Sequence, residues 1–201
     1  GAGIYGSVIA WNLAKVGYDV TVFEMKKAIM QMASGKNQGR VHRGYHYPLD
    51  DKTAEEAKND FEPFRKVYGE SFIEGNKHYY SVSSDDARRV SKGQYLDFLT
   101  RLSLPFEYEV PEVLEEGSIH LSMRVPEAFI DLDKLKAMIS AQLEKFNVRM
   151  IQEKATEALL SPFDFVVNAS YASINQFSSA PLKYQFKLHE QIIVKLPDLY
   201  R

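Results

Sequence analysis

The sequence predicts an α/β fold: a mostly parallel sheet held between helical layers, interrupted by an inserted mixed α+β domain. Three observations predict it. A glycine turn, GAGIYG at Gly1 to Gly6, opens a helical stretch and is followed by the Val-rich VTVFE ending at Glu24. Shorter strands and helices of mixed character fill residues 70 to 130. Apolar strand signals of the first kind then return at 148–168, the order expected of one α/β unit carrying an insertion.

Each element has its own signal. Residues 4–16 read as a helix, with Ile4, Val8, Trp11 or Leu13, and Val16 as apolar positions, and Gly17 as the residue beyond its C-terminus. Tyr18 to Glu24 alternates poorly and is rich in Val, as a parallel strand buried on both faces should be. Residues 25–52 have no period and read as loop. Residues 53–69 read as a helix with Ala54, Ala57, Phe61, Phe64 and Tyr68 along one stripe, Thr53 as N-cap and Gly69 as stop. Lys77 to Ser83 reads as a strand and Ser91 to Leu102 as a helix. Phe106 to Val110 and Ser118 to Val125 read as strands of a second sheet. Asp131 caps a helix reaching Phe146 through Leu132, Leu135, Ile139 and Leu143. Val148 to Ile151 and the very apolar Phe163 to Asn168 read as strands, and Lys183 to Leu196 as one or two more.

The opening turn is a G-x-G-x-x-G pattern with an acidic residue at the tip of the next strand, which describes a Rossmann-like site for the ADP half of a dinucleotide. Gly1 permits the tight turn, Gly3 lets backbone N–H groups approach a pyrophosphate, and Gly6 lets the helix pack close to the sheet. The positive end of that helix faces the phosphates. Glu24 accepts from the ribose hydroxyls and repels a 2′-phosphate, disfavouring NADP. The motif calls for a strand before Gly1, so the sequence reads as a piece of a longer protein, cut at both ends; the functional reading concerns that intact protein.

Composition narrows the classes. The 201 residues are 45% hydrophobic and 26% charged, with a net charge of −2, so neither nucleic acid nor an anionic membrane surface is drawn to the chain. Cysteine is absent, which excludes disulfides, thiolate metal sites and a cysteinyl flavin link within these residues. That fits a reducing compartment, and the cytoplasm is the expected location. No apolar run approaches the roughly 18 residues a membrane span needs. The oligomeric state is left open.

A second cluster of chemistry is ASGKNQGRVHRGYHYP, Ala33 to Pro48. Such a polar, glycine-dotted loop can lie along a phosphate and ribityl chain, Ser34 and Asn37 hydrogen bonding and Gly35, Gly39 and Gly44 allowing close backbone approach. An ordinary surface loop is the alternative. Two spaced histidines suggest a metal, but no carboxylate or third histidine sits at suitable spacing, so no metal is expected.

GAGIYG with Glu24, the Ala33 to Pro48 loop, and FDFVVNAS at 163–170, in that order, resemble FAD-dependent oxidoreductases of the D-amino-acid oxidase type, relatives of glycine oxidase and sarcosine oxidase. The resemblance covers nearly the whole chain. It implies an FAD-binding domain at 1–70 and 131–175, and a substrate domain at 71–130 that resumes, incomplete, at 176–201. It implies that Gly1, Ala2, Gly3, Ile4, Gly6 and Glu24 bind the ADP portion of FAD. Ser34, Asn37, Gln38, Gly39, Arg40, Val41 and His42 would run beside the pyrophosphate, ribityl chain and ring. Asn168, Ala169 and Ser170 would end a strand near the ADP portion. Two departures stand out: Tyr171 occupies a position where glycine is common, and the segment 152–162 is shorter than the family's hairpin.

The reaction so implied is oxidation of a C–N or C–O bond of a small polar substrate (an amino acid, an amine or a hydroxy acid) by hydride transfer to the flavin. His42 and His46 could face the flavin, accept a proton or carry the flavin covalently; either could instead hydrogen-bond the loop to itself. Arg43 and Arg124 are candidates for a fork holding a substrate carboxylate. Tyr45, Tyr47, Tyr79, Tyr80 and Phe129 could line a pocket, though most such residues are core. His78, His120 and His189 sit in strand-like contexts and read as structural or exposed. An NAD-dependent dehydrogenase, or a non-catalytic flavin-binding homologue, remains the alternative.

Overall fold

The structure, a computed structural model, describes residues 1–84, 90–112, 114 and 116–185. They form two compact units, one from Gly1–Gln38 and residues 132–185, the other from Gly39–Asp131.

In the first unit, α1 (Ile4–Lys15) starts directly from the glycine turn and buries Ser7 and Ala10. Small side chains on that face let the helix come close to its neighbours. Gly17 follows the helix with φ +102, as its expected place beyond the C-terminus requires. β1 (Thr21–Phe23) pairs in parallel with β8 (Arg149–Ile151), Val22 opposite Met150. Two strands more than a hundred residues apart in sequence thus share one sheet. The helix before β8, α4 (Leu132–Lys145), buries the expected Leu135, Ile139 and Leu143. Its last turn leads to Phe146, which stacks on Trp11 of α1 at 6.1 Å.

The 163–168 strand is a correction. That segment pairs with no strand among the described residues. High β-propensity is not enough without a neighbour about 4.8 Å away to complete the ladder. A groove of about 650 Å³ instead lies between 163–170 and β1 with α1, and Phe165 is 77% exposed. A short helix, α5 (Glu157–Leu160), capped by Thr156, stands in the stretch before it, where none was expected. The strand expected over 183–196 lies, from residue 186, outside the described residues.

The second unit holds two antiparallel sheets of three strands each. One is ordered β2 (Arg40–Val41), β7 (Ala128–Ile130), β3 (Phe72–Ile73); the other β4 (His78–Ser83), β6 (Ile119–Val125), β5 (Glu107–Tyr108). α2 (Asp51–Tyr68) buries Ala54, Phe61 and Tyr68 of the expected stripe, and its N-cap is Asp50 rather than Thr53. The Asp50 carboxylate accepts from the Thr53 amide at 3.0 Å and the Thr53 hydroxyl at 2.6 Å, so the two residues form one cap. Gly69 is helical, not a left-handed stop, and the chain runs on through a 3₁₀ turn to Ser71. α3 (Lys92–Arg101) opens with a capping box from Ser91 and Gln94. Its Tyr95, Phe98 and Leu99 join Tyr45, Leu121, Met123 and Val125 in the larger core. Residues 25–52 are not all loop: they include β2 and a 3₁₀ turn at Ala33–Gly35.

Candidate functional site

In the first unit the glycine turn gathers residues from three separated stretches. A Cβ on Gly6 would lie 1.9 Å from the Gly1 carbonyl oxygen and 3.2 Å from the Ala169 Cβ; one on Gly1 would lie 2.9 Å from the Ala169 oxygen. Ala169 and Ser170 therefore pack directly against the turn. Asn168 stiffens that segment: its Oδ1 accepts from the Ser170 amide and hydroxyl, and its Nδ2 donates to the Ile174 carbonyl. Ser34 arrives from the second motif, its Oγ accepting from the Ile4 amide at 3.0 Å. Asn37 donates back to the Ser34 carbonyl at 3.0 Å, which shapes the loop rather than leaving the amide aimed at a ligand.

Glu24 stands at the tip of β1 and accepts from the Ala2 amide at 2.7 Å and the Lys26 amide at 2.8 Å, one through each carboxylate oxygen. Each oxygen keeps a further lone pair for a hydroxyl. The N-cap of α1 is Gly3, with no side chain to occupy the helix end, and the first turn carries no acid. Partial positive charge at a helix end whose own first turn holds no acid, with Ser34 on the Ile4 amide and Glu24 on the Ala2 amide, beside a backbone too tight for a Cβ, suits an anionic pyrophosphate. The chemistry of these residues thus fits the ADP half of a dinucleotide. Tyr171, flagged where glycine is common, has φ +50, a left-handed backbone that glycine adopts without strain.

The second unit gathers a different set. The Glu127 side chain is fully buried. Its Oε2 accepts from Arg40 Nε at 2.7 Å and from the Tyr80 hydroxyl at 3.2 Å; its Oε1 accepts from the Arg43 amide at 2.8 Å. Burial alone would raise its carboxyl pKa, but His42, the Arg43 amide and Arg40 outweigh burial and hold it below the ordinary value. His42 Nδ1 lies 3.2 Å from the Tyr80 hydroxyl and 3.8 Å from Glu127. The His42 ring stacks on His46 at 5.1 Å, and His46 meets Tyr47 edge-on at 5.4 Å. Burial, then the charges of His42 and Arg40, depress the pKa of His46. Arg40 sits 4.4 Å over the Tyr80 ring, and one of its terminal nitrogens is buried without a hydrogen-bond partner.

The remaining candidates divide. Arg43 lies 4.5 Å over the Phe61 ring and reaches Glu62 at 3.5 Å. Arg124 is paired with Glu107 and, at 3.0 Å, with Glu109, so its fork already holds two carboxylates. Tyr79 donates to Glu109 at 2.5 Å in the same network. Tyr45 is buried, and its carbonyl accepts from the Tyr95 hydroxyl at 2.6 Å, a core role. His78 is buried, with its ring 4.4 Å from that of Phe129, and its pKa is lowered by burial and then Arg40. His120 is exposed, and His189 lies outside the described residues. Among the described residues no three metal-ligating side chains cluster. No helix there is long and apolar enough to cross a membrane. Sequence reasoning missed Glu127; the one available signal was an acid between two apolar strand segments.

A family model described as FAD dependent oxidoreductase matches residues 1–176. The chain is 29% identical over 178 residues to the FAD-dependent monooxygenase FPY4 of Fusarium mangiferae, covering 85% of this chain and 48% of that protein. It is 32% identical over 87 residues to the FAD-dependent monooxygenase kojA of Aspergillus flavus, covering 43% of this chain and 20% of that one. Among solved structures, L-proline dehydrogenase from P. horikoshii superposes with a TM-score of 0.60 at 18% identity, over 76% of this chain and 42% of the other, a likeness of fold. The chain spans about half the length of FPY4 and less of the other two.

Proposed function

We propose, from the premise that the chain belongs to the FAD dependent oxidoreductase family, that the intact protein oxidises a C–N or C–O bond of a small polar substrate, an amino acid, an amine or a hydroxy acid. FAD is the family's cofactor and, when bound, supplies the acceptor for the hydride. Gly1, Ala2, Gly3, Ile4, Gly6, Glu24 and Ser34, backed by Ala169 and Ser170, hold its ADP portion. The observation that carries this reading is the convergence on one turn of Glu24, Ser34 and Ala169.

Division of labour between the units belongs to the same proposal. We read residues 39–131, which form one compact unit, as the inserted substrate domain; the sequence-based expectation began that domain at residue 71. There Arg40, His42, Arg43 and His46 are the candidates for the substrate side. Arg124 is not among them, because its pairing with Glu107 and Glu109 leaves little fork for a substrate carboxylate.

The test is colour and its loss. Purified intact protein should carry about one flavin per chain, and anaerobic addition of amines, amino acids or hydroxy acids should bleach it with one of them. A colourless protein that binds NAD would return the reading to a nicotinamide enzyme. A yellow protein that none of these compounds bleaches would make it a binding homologue.

A further inference from the structure

We propose that Tyr80 and Glu127 hold His42 in its Nδ1–H tautomer, leaving Nε2 as the acceptor for an N–H or O–H proton of a bound substrate. The tautomer stands on geometry within the second unit; assigning the proton to a substrate rests on the oxidoreductase reading above.

The argument is a proton count. A tyrosine hydroxyl has one proton to donate. The Tyr80 hydroxyl lies 3.2 Å from Glu127 Oε2 and 3.2 Å from His42 Nδ1. The ionised carboxylate is the stronger acceptor, so the Tyr80 proton goes to Glu127 and the hydroxyl oxygen must accept from Nδ1–H. The 3.8 Å between Nδ1 and Glu127 Oε2 argues the same way, since a bare lone pair there would face a negative oxygen. The chain His42 Nδ1–H, Tyr80 O–H, Glu127 then runs in one direction. Second-neighbour carboxylates fix imidazole tautomers in this way.

The surroundings suit the state that follows. The groups facing His42 are His46 and Tyr47 from the loop beyond β2, Tyr80 on β4, and Glu127 between β6 and β7, with Arg40 of β2 paired to that Glu127. Burial and the charges of His42 and Arg40 lower the pKa of His46, disfavouring a second charge beside His42. The His42 side chain is 27% exposed, enough for a ligand to reach the ring. Transfer breaks the substrate's N–H or O–H bond, leaves the electron pair on that nitrogen or oxygen, and turns the imidazole into an imidazolium. Glu127, already paired with Arg40, attracts the new charge from 3.8 Å. His42 is the catalytic residue of this proposal; Tyr80 and Glu127 are positioning residues.

Long-range ¹H–¹⁵N spectra of the intact protein labelled at histidine decide the tautomer above about pH 8, where unperturbed imidazoles are neutral. The His42 signals are those lost in His42→Gln. An amine-type nitrogen at Nδ1 and a pyridine-type nitrogen at Nε2 are expected, and the preference should weaken in Tyr80→Phe, which keeps the ring and leaves Glu127 at 3.8 Å still favouring Nδ1–H. A wild-type His42 protonated at Nε2 overturns the relay, whether or not the variant folds. With whichever compound bleaches the flavin, His42→Gln should slow anaerobic reduction roughly 100-fold, and Tyr80→Phe and Glu127→Gln should shift its pH profile. An unchanged rate and profile in His42→Gln overturns the proton-accepting role. Flavin content of the same samples reports separately: a yellow protein with Nε2–H refutes the relay alone, and a colourless one with Nδ1–H upholds the relay while refuting the substrate role.

Discussion

Gly6→Ala tests the glycine turn most sharply. The new Cβ would stand 1.9 Å from the Gly1 carbonyl oxygen and 3.1 Å from its carbon. Cβ atoms essentially never approach closer than 3.0 Å, so Gly1 and the start of α1 must separate by about 1 Å. Both are backbone, with no flexible side chain to give way. Forcing a methyl group into such a space costs about 1–3 kcal/mol, offset by the roughly 0.5–1 kcal/mol that alanine gains over glycine in a helix. A net loss of up to about 2.5 kcal/mol lowers Tm by up to several degrees in a protein of this size or larger. Flavin affinity should suffer more. A hydrogen bond stretched by about 1 Å from 2.9 Å is no longer one, and a charge-assisted bond to phosphate is worth about 1.5–3 kcal/mol. Loss of a single such bond weakens Kd by about 10- to 100-fold.

The assay is flavin retained through gel filtration, then titration of the apoprotein with FAD. Gly93→Ala is the control, because its Cβ would meet nothing within 4 Å. It should leave FAD affinity unchanged and raise stability slightly. Wild-type affinity in Gly6→Ala would refute the reasoning, since the turn would then tolerate the displacement without reference to a ligand.

Other expectations follow from the same contacts. Glu24→Ala leaves the Ala2 and Lys26 amides without their acceptor, and should weaken FAD binding by about 1–3 kcal/mol; Glu24→Gln should restore part of it, and apoprotein titrations measure both. Tyr171 is 76% exposed with φ +50, so Tyr171→Gly should be about 1 kcal/mol more stable than Tyr171→Ala in denaturant unfolding; equal values would show the backbone is not strained there. His46 and His78 have folded-state pKa values below the ordinary one, chiefly through burial. Between those depressed values and about 6.5 the unfolded chain binds more protons than the folded one, so stability falls as pH drops through that window. Denaturant midpoints measured across it should slope upward with pH, and His46→Gln should flatten the slope.

What the sequence revealed and what it withheld divide along physical lines. The glycine turn, Glu24 and the helix at residue 132 were legible because each is a local pattern: fixed spacing, a strand tip, a 3.6-residue stripe. The β1–β8 pairing was suggested by the return of strand signals near residue 148, although Val22 and Met150 meet only in space. Strands of two residues, β2 and β3, carry no period to detect, so the 25–52 loop hid one of them. Asp50 and Thr53 could each cap α2, and which one does depends on the direction from which the chain enters. The apolar 163–168 segment misled for the opposite reason, since its composition names a strand while a ladder also needs a partner.

Glu127 shows the limit most clearly. It is separated by 87 residues from Arg40, and its neighbours in sequence, Pro126 and Ala128, say nothing about charge. It reaches Arg40 because β2 and β7 pair antiparallel with Arg40 opposite Phe129 and Val41 opposite Ala128. That register brings the residue just before β7 alongside the chain leaving β2, where the Arg43 amide finds its Oε1. A one-residue slip of β7 would turn its side chains to the other face and separate the carboxylate from Arg40, Tyr80 and His42 together. The two-residue strand that sequence periodicity could not detect is therefore the element that assembles the second unit's charged cluster.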